Sequence, residues 1–482
     1  MGTGFLVTPS GYLVTNRHVV DGASMSRAFR DGELRVSVTG IDVFVRGPER
    51  SESIPATLVA LDAEHDLALL SVTAAERLAY LPLGDSDALV AGQPLTAWGF
   101  PFGQRLEVGR EPSAAVVPDV TASPGHFSAV RRDDDEAARY IQTDATLNPG
   151  NSGGPLVDDE GYAMGVVRMR LAEGTALGFG IPINLVKDFL ESNGLADQLP
   201  RRFRLGSLES VGWKGLALQA ADGLWDVWPG RTRWESPQEE AAGLRLRIDR
   251  VVSPLDLEGL VEALLSGEVL DGFTAVRRNV SEPVGSGTAQ RKLVGSARGV
   301  VNGSDLALEF AVLGVGREKL LARYSGSPEV VAYNRWVLRR SLSSLSAERL
   351  LREPIAGPLE AALEPASFTS PDAPSVVMPV GWTREPCVEE PPRDLPTPDG
   401  ALSASPAGDF SVAFRALWWR RLDGSEGSPY RRETHRLGTT YVETGVFRRV
   451  AGGLLLLEAR APREKAPFVT DLYSRWAQQA RR

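Results

Sequence analysis

The sequence has a single cysteine, Cys387, in 482 residues. No disulfide can form within the chain, so packing must hold the fold, and cysteine usage specifies no oxidising compartment. Cys387 lies in the proline-rich stretch Glu385-Pro386-Cys387, with neither a base nor a helix N-terminus signalled beside it, so it is not read as a reactive thiol. Histidine is nearly as scarce, at four residues: His18, His65, His126 and His435. None stands at metal-ligand spacing from another, and neither a metal nor a cofactor is expected. No run approaches the roughly 18 consecutive apolar residues of a membrane-spanning helix. A basic excess is also missing, with 53 Lys and Arg against 62 Asp and Glu and a net charge of −9, so a nucleic-acid partner is not indicated. After Met1 comes the strand-like Gly4-Phe5-Leu6-Val7 rather than a basic segment and an apolar run. No signal peptide is expected in the chain as it stands, which reads as cytoplasmic, or as periplasmic or secreted if a signal lies upstream.

The first 200 or so residues instead hold many short β-type runs separated by turn chemistry. Examples are Phe5 to Val7, Tyr12 to Thr15, Leu34 to Val38, Ile41 to Val45, Thr57 to Leu61 and Leu67 to Val72. Evenly spaced short strands predict an all-β barrel or sandwich. The series closes with Pro155 to Val157, a turn at Asp158 to Gly161, Met164 to Val167 and Leu177 to Ile181. A short helix should follow, with Ile183, Val186, Phe189 and Leu190 on one face and Gly194 stopping it.

Within this region "GNSGGP", Gly150 to Pro155, raises a chemical question. A serine hydroxyl is a weak nucleophile and needs a base to take its proton, and an imidazole serves because it titrates near working pH. His18 is read at the end of a predicted strand, and Asp66 opens Asp66-Leu67-Ala68-Leu69-Leu70, where a carboxylate can set the imidazole tautomer. Asp62 is a nearby rival. Backbone N–H groups of Gly150 and Ser152 can form an oxyanion hole, and glycines 150, 153 and 154 permit the turn. The order His18, Asp66, Ser152 is that of chymotrypsin-type enzymes, not of subtilisins or α/β-hydrolases.

Six stretches carry a family resemblance: Gly2-Thr3-Gly4-Phe5, Thr15-Asn16-Arg17-His18-Val19-Val20, Asp66-Leu67-Ala68-Leu69-Leu70, Gln142-Thr143-Asp144-Ala145, Asn148 to Pro155, and Gly178-Phe179-Gly180-Ile181-Pro182. In these, residues 1 to about 195 resemble the trypsin-like serine protease domain of the HtrA (Deg) family. The resemblance implies two six-stranded β-barrels, His18 as general base and then acid, Asp66 as its orienter, Ser152 as nucleophile, and polypeptide substrates. Asn151 stands where zymogen-type relatives carry an aspartate, which implies that no activating cleavage is needed. By the same analogy Thr146 lies at the base of the primary specificity pocket, with Leu177, Gly178 and Phe179 along its wall. No acid stands there, so small or medium apolar side chains are the expected choice. The family usually has a strand before the Gly-Ser-Gly-Phe-like stretch, and here Met1 stands almost directly before it, so that strand is either supplied differently or lies upstream of this chain; no PDZ-like carboxylate-binding loop is visible later.

Beyond residue 200 the composition shifts towards Trp and Arg, and two segments share an order of elements. Leu306 to Leu313 predicts a strand, after which Pro328 opens a helix carrying Val330, Val337, Leu338, Leu342 and Leu345. Leu454 to Leu457 predicts another, after which Pro467 opens a helix carrying Phe468, Leu472 and Trp476. Phe410, Val412, Phe414 and Ala416 alternate with more polar residues, as in a strand with one buried face. Val211-Gly212-Trp213 and Val380-Gly381-Trp382 stand near the two starts, and the modules resemble Mog/PsbP-like domains. The expected organisation is an all-β double β-barrel over 1–198, an α+β module over 203–350, a linker over 351–376 and a second α+β module over 377–482. Trp225, Trp228, Trp234, Trp418 and Trp419 are read as core, and Arg131 to Glu136 as a solvated loop. The leading function is a serine endopeptidase, able to form a homo-oligomer and to recruit an unidentified protein partner through its C-terminal modules. The alternative is a catalytically silent binding or chaperone-like protein.

Overall fold

A computed structural model describes residues 2–21, 28–29, 32–33, 41–46, 51–73, 78–100, 120–132, 138–170, 177–210, 216–222, 224–226, 233–235, 243–267, 273–281, 291–301, 303–315, 318–346, 363–366, 376–379, 383–385, 398–405, 413–420, 430–436, 439–450, 453–463 and 466–479. The backbone divides into two units, Met1–Arg202 with Ala332–Trp336, and Phe203–Val331 with Val337–Arg482.

In the first unit the strands are β1 Phe5–Leu6, β2 Tyr12–Asn16, β3 Ala28–Phe29, β4 Gly32–Glu33, β5 Ile41–Arg46, β6 Ser51–Asp62, β7 Leu67–Val72, β8 Pro94–Gly99, β9 Thr121–Arg132, β10 Ala138–Thr143, β11 Pro155–Asp158, β12 Ala163–Arg170 and β13 Gly178–Pro182. Helix α1 spans Arg17–Val20 and α2 spans Ile183–Leu190. Strands β8 to β13 close into a six-stranded barrel, in the order β10-β13-β12-β11-β8-β9. The other expected barrel corresponds to the first half. Among the described residues it is a five-stranded sheet, β1-β2-β7-β6-β5, with β3 and β4 paired separately. The run Leu34 to Val38 lies outside the described residues, as does the expected loop beyond Arg132 up to residue 137.

The sequence of β7, LALLSV, explains its central place. Leu67 to Leu70 are all buried, so both faces need cover and both edges need a partner, which β2 and β6 supply. At the far end Gly11 turns the chain with φ 99°, and a Cβ there would meet the Val72 carbonyl oxygen at 2.2 Å, so only glycine fits. Phe5, Val14, Leu67, Val166, Ile181, Val186 and Leu190 belong to one apolar cluster that joins the sheet, the barrel and α2. Ile183, Val186, Phe189 and Leu190 of α2 are all buried, and the chain leaves it through Gly194 at φ 82°. The sheet and barrel are therefore held in one core, and residues on both can meet at fixed positions.

Residues 332–336 also pack within this first unit. Lys187, fully buried, donates from Nζ to the Tyr333 carbonyl at 2.7 Å and lies 3.8 Å from the centroid of its ring. Arg335 forms a bidentate pair with Glu160 at 2.9 Å, and the Trp336 N–H donates to Asp85 Oδ2 at 2.8 Å. These contacts revise one expected helix. Instead of a continuous helix from Pro328, the chain forms α4 Pro328–Tyr333 and α5 Arg335–Ser344, broken at Asn334, whose side chain donates to the Arg201 carbonyl. Trp336 N–H, which would otherwise lack an intrahelical acceptor in the first turn of α5, is capped by Asp85.

In the second unit a seven-stranded antiparallel sheet runs in the order Trp225–Asp226, Arg233–Glu235, Arg245–Val252, Glu318–Gly326, Ser304–Val315, Arg291–Val301, Thr274–Ser281. Helix α3, Leu257–Leu265 in this unit, packs with Leu308, Phe310 and Val312, whereas Val330, Leu338, Leu342 and Leu345 pack with Ala307, Ala311 and Leu313. The period-2 alternation of one strand thus feeds two cores on opposite faces. A six-stranded sheet runs in the order Thr383–Glu385, Gly400–Ser405, Ala413–Arg420, Gly453–Pro462, Thr439–Val450, Tyr430–Arg436, with α6 Ala466–Gln479 against one face. Phe414, Ala416 and Trp418 face Leu472 and Trp476 of α6, while Leu417 and Trp419 form a smaller cluster on the other side. The strand expected to bury one face therefore buries both. Trp418 and Trp419 are core residues, and Phe410 and Val412 lie outside the described residues. Leu363–Ala366, inside the expected linker, pairs antiparallel with Val376–Pro379, which runs from its last residue into the expected second module. The Gly-Trp pairs at 212–213 and 381–382, Trp228 and Cys387 lie outside the described residues. Among the described residues no helix is long and apolar enough to cross a membrane.

Candidate active site

Strand β2 ends at Asn16, and His18 follows on the single turn of α1 rather than on the strand itself. Asp66 immediately precedes β7, which pairs with β2 so that Asn16 stands opposite Leu67. This register brings two residues far apart in sequence to adjoining strand ends. Asp66 has φ 60°, an unfavourable conformation for a residue with a Cβ. Its carbonyl accepts from Arg17 N–H at 3.0 Å and from Asn16 Nδ2 at 3.2 Å, which over-determines that conformation.

The Asp66 carboxylate is turned on His18. Oδ1 accepts the His18 backbone N–H at 3.1 Å and Oδ2 lies 2.8 Å from His18 Nδ1. An ionised carboxylate only accepts, so Nδ1 carries the proton and Nε2 is left as the basic nitrogen. Asp62, the rival, pairs with His65 at 2.7 Å and caps its own turn by accepting from the N–H groups of Glu64 and His65. Partial burial raises its carboxyl, but these hydrogen bonds and the His65 charge outweigh that and hold it below the usual range.

Ser152 sits half-buried in the turn between Asn148 and β11, with Gly150 at φ 104° and Gly153 at φ 85°. A Cβ on Gly153 would meet the Thr3 carbonyl at 2.1 Å, Thr15 Oγ1 at 2.2 Å and Asn16 N at 3.1 Å, so the serine turn abuts the end of β2. Gly154 serves close approach rather than unusual φ, since its Cβ would lie 2.2 Å from the Trp98 carbonyl oxygen. Asn151 is buried beside it, with Oδ1 lacking a hydrogen-bond partner.

Two residues that sequence reasoning did not single out organise this turn. Buried Thr3 donates from its N–H to the Ser152 carbonyl at 2.9 Å and from Oγ1 to the Gly150 carbonyl at 2.7 Å. Its Oγ1 accepts Phe100 N–H at 3.1 Å, and its carbonyl accepts Thr15 Oγ1 at 2.6 Å. Arg168, on β12, accepts the Ser152 hydroxyl on its backbone carbonyl at 3.3 Å. The Arg168 side chain donates from Nε to Asp66 Oδ2 at 3.2 Å, and its guanidinium donates to the Tyr140 hydroxyl and lies 5.1 Å from the centre of that ring. Both act across the fold, Thr3 reaching Gly150 across 147 residues of sequence and Arg168 meeting Asp66 across 102.

The expected pocket residues differ in exposure. Thr146 is exposed between buried Ala145 and Leu147, Gly178 is buried where a Cβ would meet Leu147 Cδ1 at 2.6 Å, and Leu177 and Phe179 are half-buried. A cavity of about 360 Å³ is lined by Glu64, His65, Tyr140, Arg168 and Ile181, none of which belongs to the expected pocket. Among the described residues no group of three or more His, Cys, Asp or Glu could hold a metal ion.

Residues 2–166 match the family described as trypsin-like peptidase domain. The chain is 34% identical over 225 residues to a "Probable periplasmic serine endoprotease DegP-like" of Chlamydia pneumoniae, covering 46% of this chain and 38% of that protein. A protein of the same description from Halomonas elongata is 34% identical over 224 residues, covering 45% and 38%. "Protease Do-like 1, chloroplastic" of Arabidopsis thaliana is 33% identical over 210 residues, covering 42% and 39%. The chain thus spans less than two fifths of the length of these curated relatives.

Proposed function

We propose, on the premise that the N-terminal region is an HtrA-like domain of the trypsin fold, that the protein is a serine endopeptidase acting on exposed or unfolded polypeptide. The observation that carries this reading is the 2.8 Å hydrogen bond between His18 Nδ1 and Asp66 Oδ2, at a strand end that the Ser152 turn abuts. In this reading Ser152 Oγ rotates from the Arg168 carbonyl towards His18 Nε2, which takes its proton as Oγ attacks a peptide carbonyl. Asp66 stabilises the imidazolium that forms. The N–H groups of Gly150 and Ser152 receive the oxyanion, in a turn whose carbonyls Thr3 holds. The imidazolium returns its proton to the leaving amine, and water repeats the sequence on the acyl-enzyme. Thr146, Leu177, Gly178 and Phe179 are assigned to the primary side-chain pocket, which has no acid at its base and so selects small or medium apolar residues.

Residues 203–350 and 377–482 are read as two α+β modules, of the Mog/PsbP-like kind, that recruit or regulate. Helices packed on antiparallel sheets support that division. A second reading, a catalytically silent binding protein, is favoured by the Ser152 hydroxyl donating to Arg168 rather than to an imidazole. Hydrolysis of unfolded casein by the full chain decides between them. The endopeptidase reading expects cleavage that Ser152→Ala abolishes, and cleavage unchanged in Ser152→Ala contradicts it.

A further inference from the structure

The Asp66 carboxylate serves two donors on one oxygen. Oδ2 accepts His18 Nδ1–H at 2.8 Å and Arg168 Nε–H at 3.2 Å. The second donor is a full positive charge that no accessible pH removes. The pair is largely shielded from solvent, with side-chain exposures of 21% for Arg168 and 13% for Asp66, so water screens it incompletely. Arg168 is also kept in place, by the Tyr140 hydroxyl and ring on one side and by its own strand on the other.

Proton transfer from Ser152 creates a second positive charge, on the His18 ring. The negative charge on Asp66 favours that state, and a guanidinium already on Asp66 Oδ2 disfavours it. A neutral donor at the same place would orient Asp66 as well without opposing the imidazolium. Position 168 additionally accepts the Ser152 hydroxyl on its carbonyl, so one residue engages both ends of the relay in this resting arrangement.

We propose that Arg168 is an electrostatic brake on the Ser152, His18 and Asp66 relay, a positioning residue whose charge holds turnover below what the same geometry allows. The inference rests on the endopeptidase reading above. It places the effect in kcat, because the opposing charge acts when the imidazolium forms.

The experiment compares the full-length parent with Arg168→Gln, Arg168→Lys and Arg168→Met, measuring kcat and KM on an apolar peptide amide and the rate of fluorophosphonate labelling at Ser152. Folding of each variant is followed by thermal unfolding. Arg168→Gln retains a donor to Asp66 and should exceed Arg168→Lys in kcat by about tenfold, the size set by one incompletely screened charge a few ångströms from the imidazole. KM should stay within about twofold across the series. Arg168→Met removes charge and donor together and should still label faster than the parent, which keeps the test alive if the glutamine variant does not fold. Labelling of the glutamine variant but not of the parent also supports the brake. Equal or lower kcat in both neutral variants, with a parent that labels and cleaves, overturns the brake and leaves the endopeptidase reading standing. Absence of labelling in every folded variant removes that reading and the brake with it.

Discussion

At the scale of single residues the account depends on Ser152. Ser152→Ala should lower turnover of a peptide substrate by about a millionfold, the loss seen when a triad nucleophile is removed from another serine protease, with thermal unfolding unchanged. Asp158 offers a test of stability rather than chemistry. Burial raises its carboxyl to about 6, against the hydrogen bond from Tyr162 N–H. Oδ1 also accepts Glu160 N–H, and buried Oδ2 lacks a hydrogen-bond partner. Because the folded state holds this proton above its ordinary value, the contribution is present below about pH 4 and is lost as pH rises through about 6. Asp158→Asn keeps an acceptor for the turn and removes the buried charge. It should raise the first unit's unfolding temperature at pH 7 and flatten its change between pH 4 and 6, as scanning calorimetry would record; a lower temperature at pH 7 would refute this.

At the scale of elements, the serine turn is shaped by what leans on it. Thr3→Val keeps the shape and the backbone N–H but removes the hydroxyl between Gly150 and Phe100. It should cost about 1 kcal/mol of stability and reduce kcat more than KM, because the loosened carbonyl at 150 belongs to the turn that carries the proposed oxyanion site. Equal loss in a short ester and a long peptide would fit this; a change confined to KM would not. The same scale explains what was legible in the sequence. The apolar face of α2 and the turn from Asp158 to Gly161 were readable because a helix face and a tight turn are encoded within a few residues. His18 and Asp66 were readable as candidates because their flanking strands are local patterns, and pairing of those strands joins them. The position of His18 on α1, the break at Asn334 and the double burial of Ala413–Arg420 were not readable. Each is decided by residues distant in sequence, through the Asp66 carbonyl, the Arg201 carbonyl and the apolar residues on both faces of a sheet. Thr3 and Arg168 escaped notice for the same reason.

At the scale of the molecule, the first unit is completed by five residues from much later in the chain. Burial lowers Lys187 to about 7, despite the opposing field of Asp85, and its amine donates to the Tyr333 carbonyl. Between about pH 7 and 10.5 the unfolded chain holds a proton that the folded protein releases, so this contribution strengthens as pH rises and is lost as pH falls towards 7. Lys187→Met should abolish that rise in the first unit's unfolding temperature between pH 7 and 10, and persistence of the rise would assign it to other groups. The most direct test of the whole account is fluorophosphonate labelling of the full-length protein, with peptide mass spectrometry to locate the adduct and His18→Ala as the control. The account predicts an adduct on Ser152 that disappears without His18. Folded protein that takes no label in any Arg168 variant, or that labels Ser152 equally without His18, would contradict it.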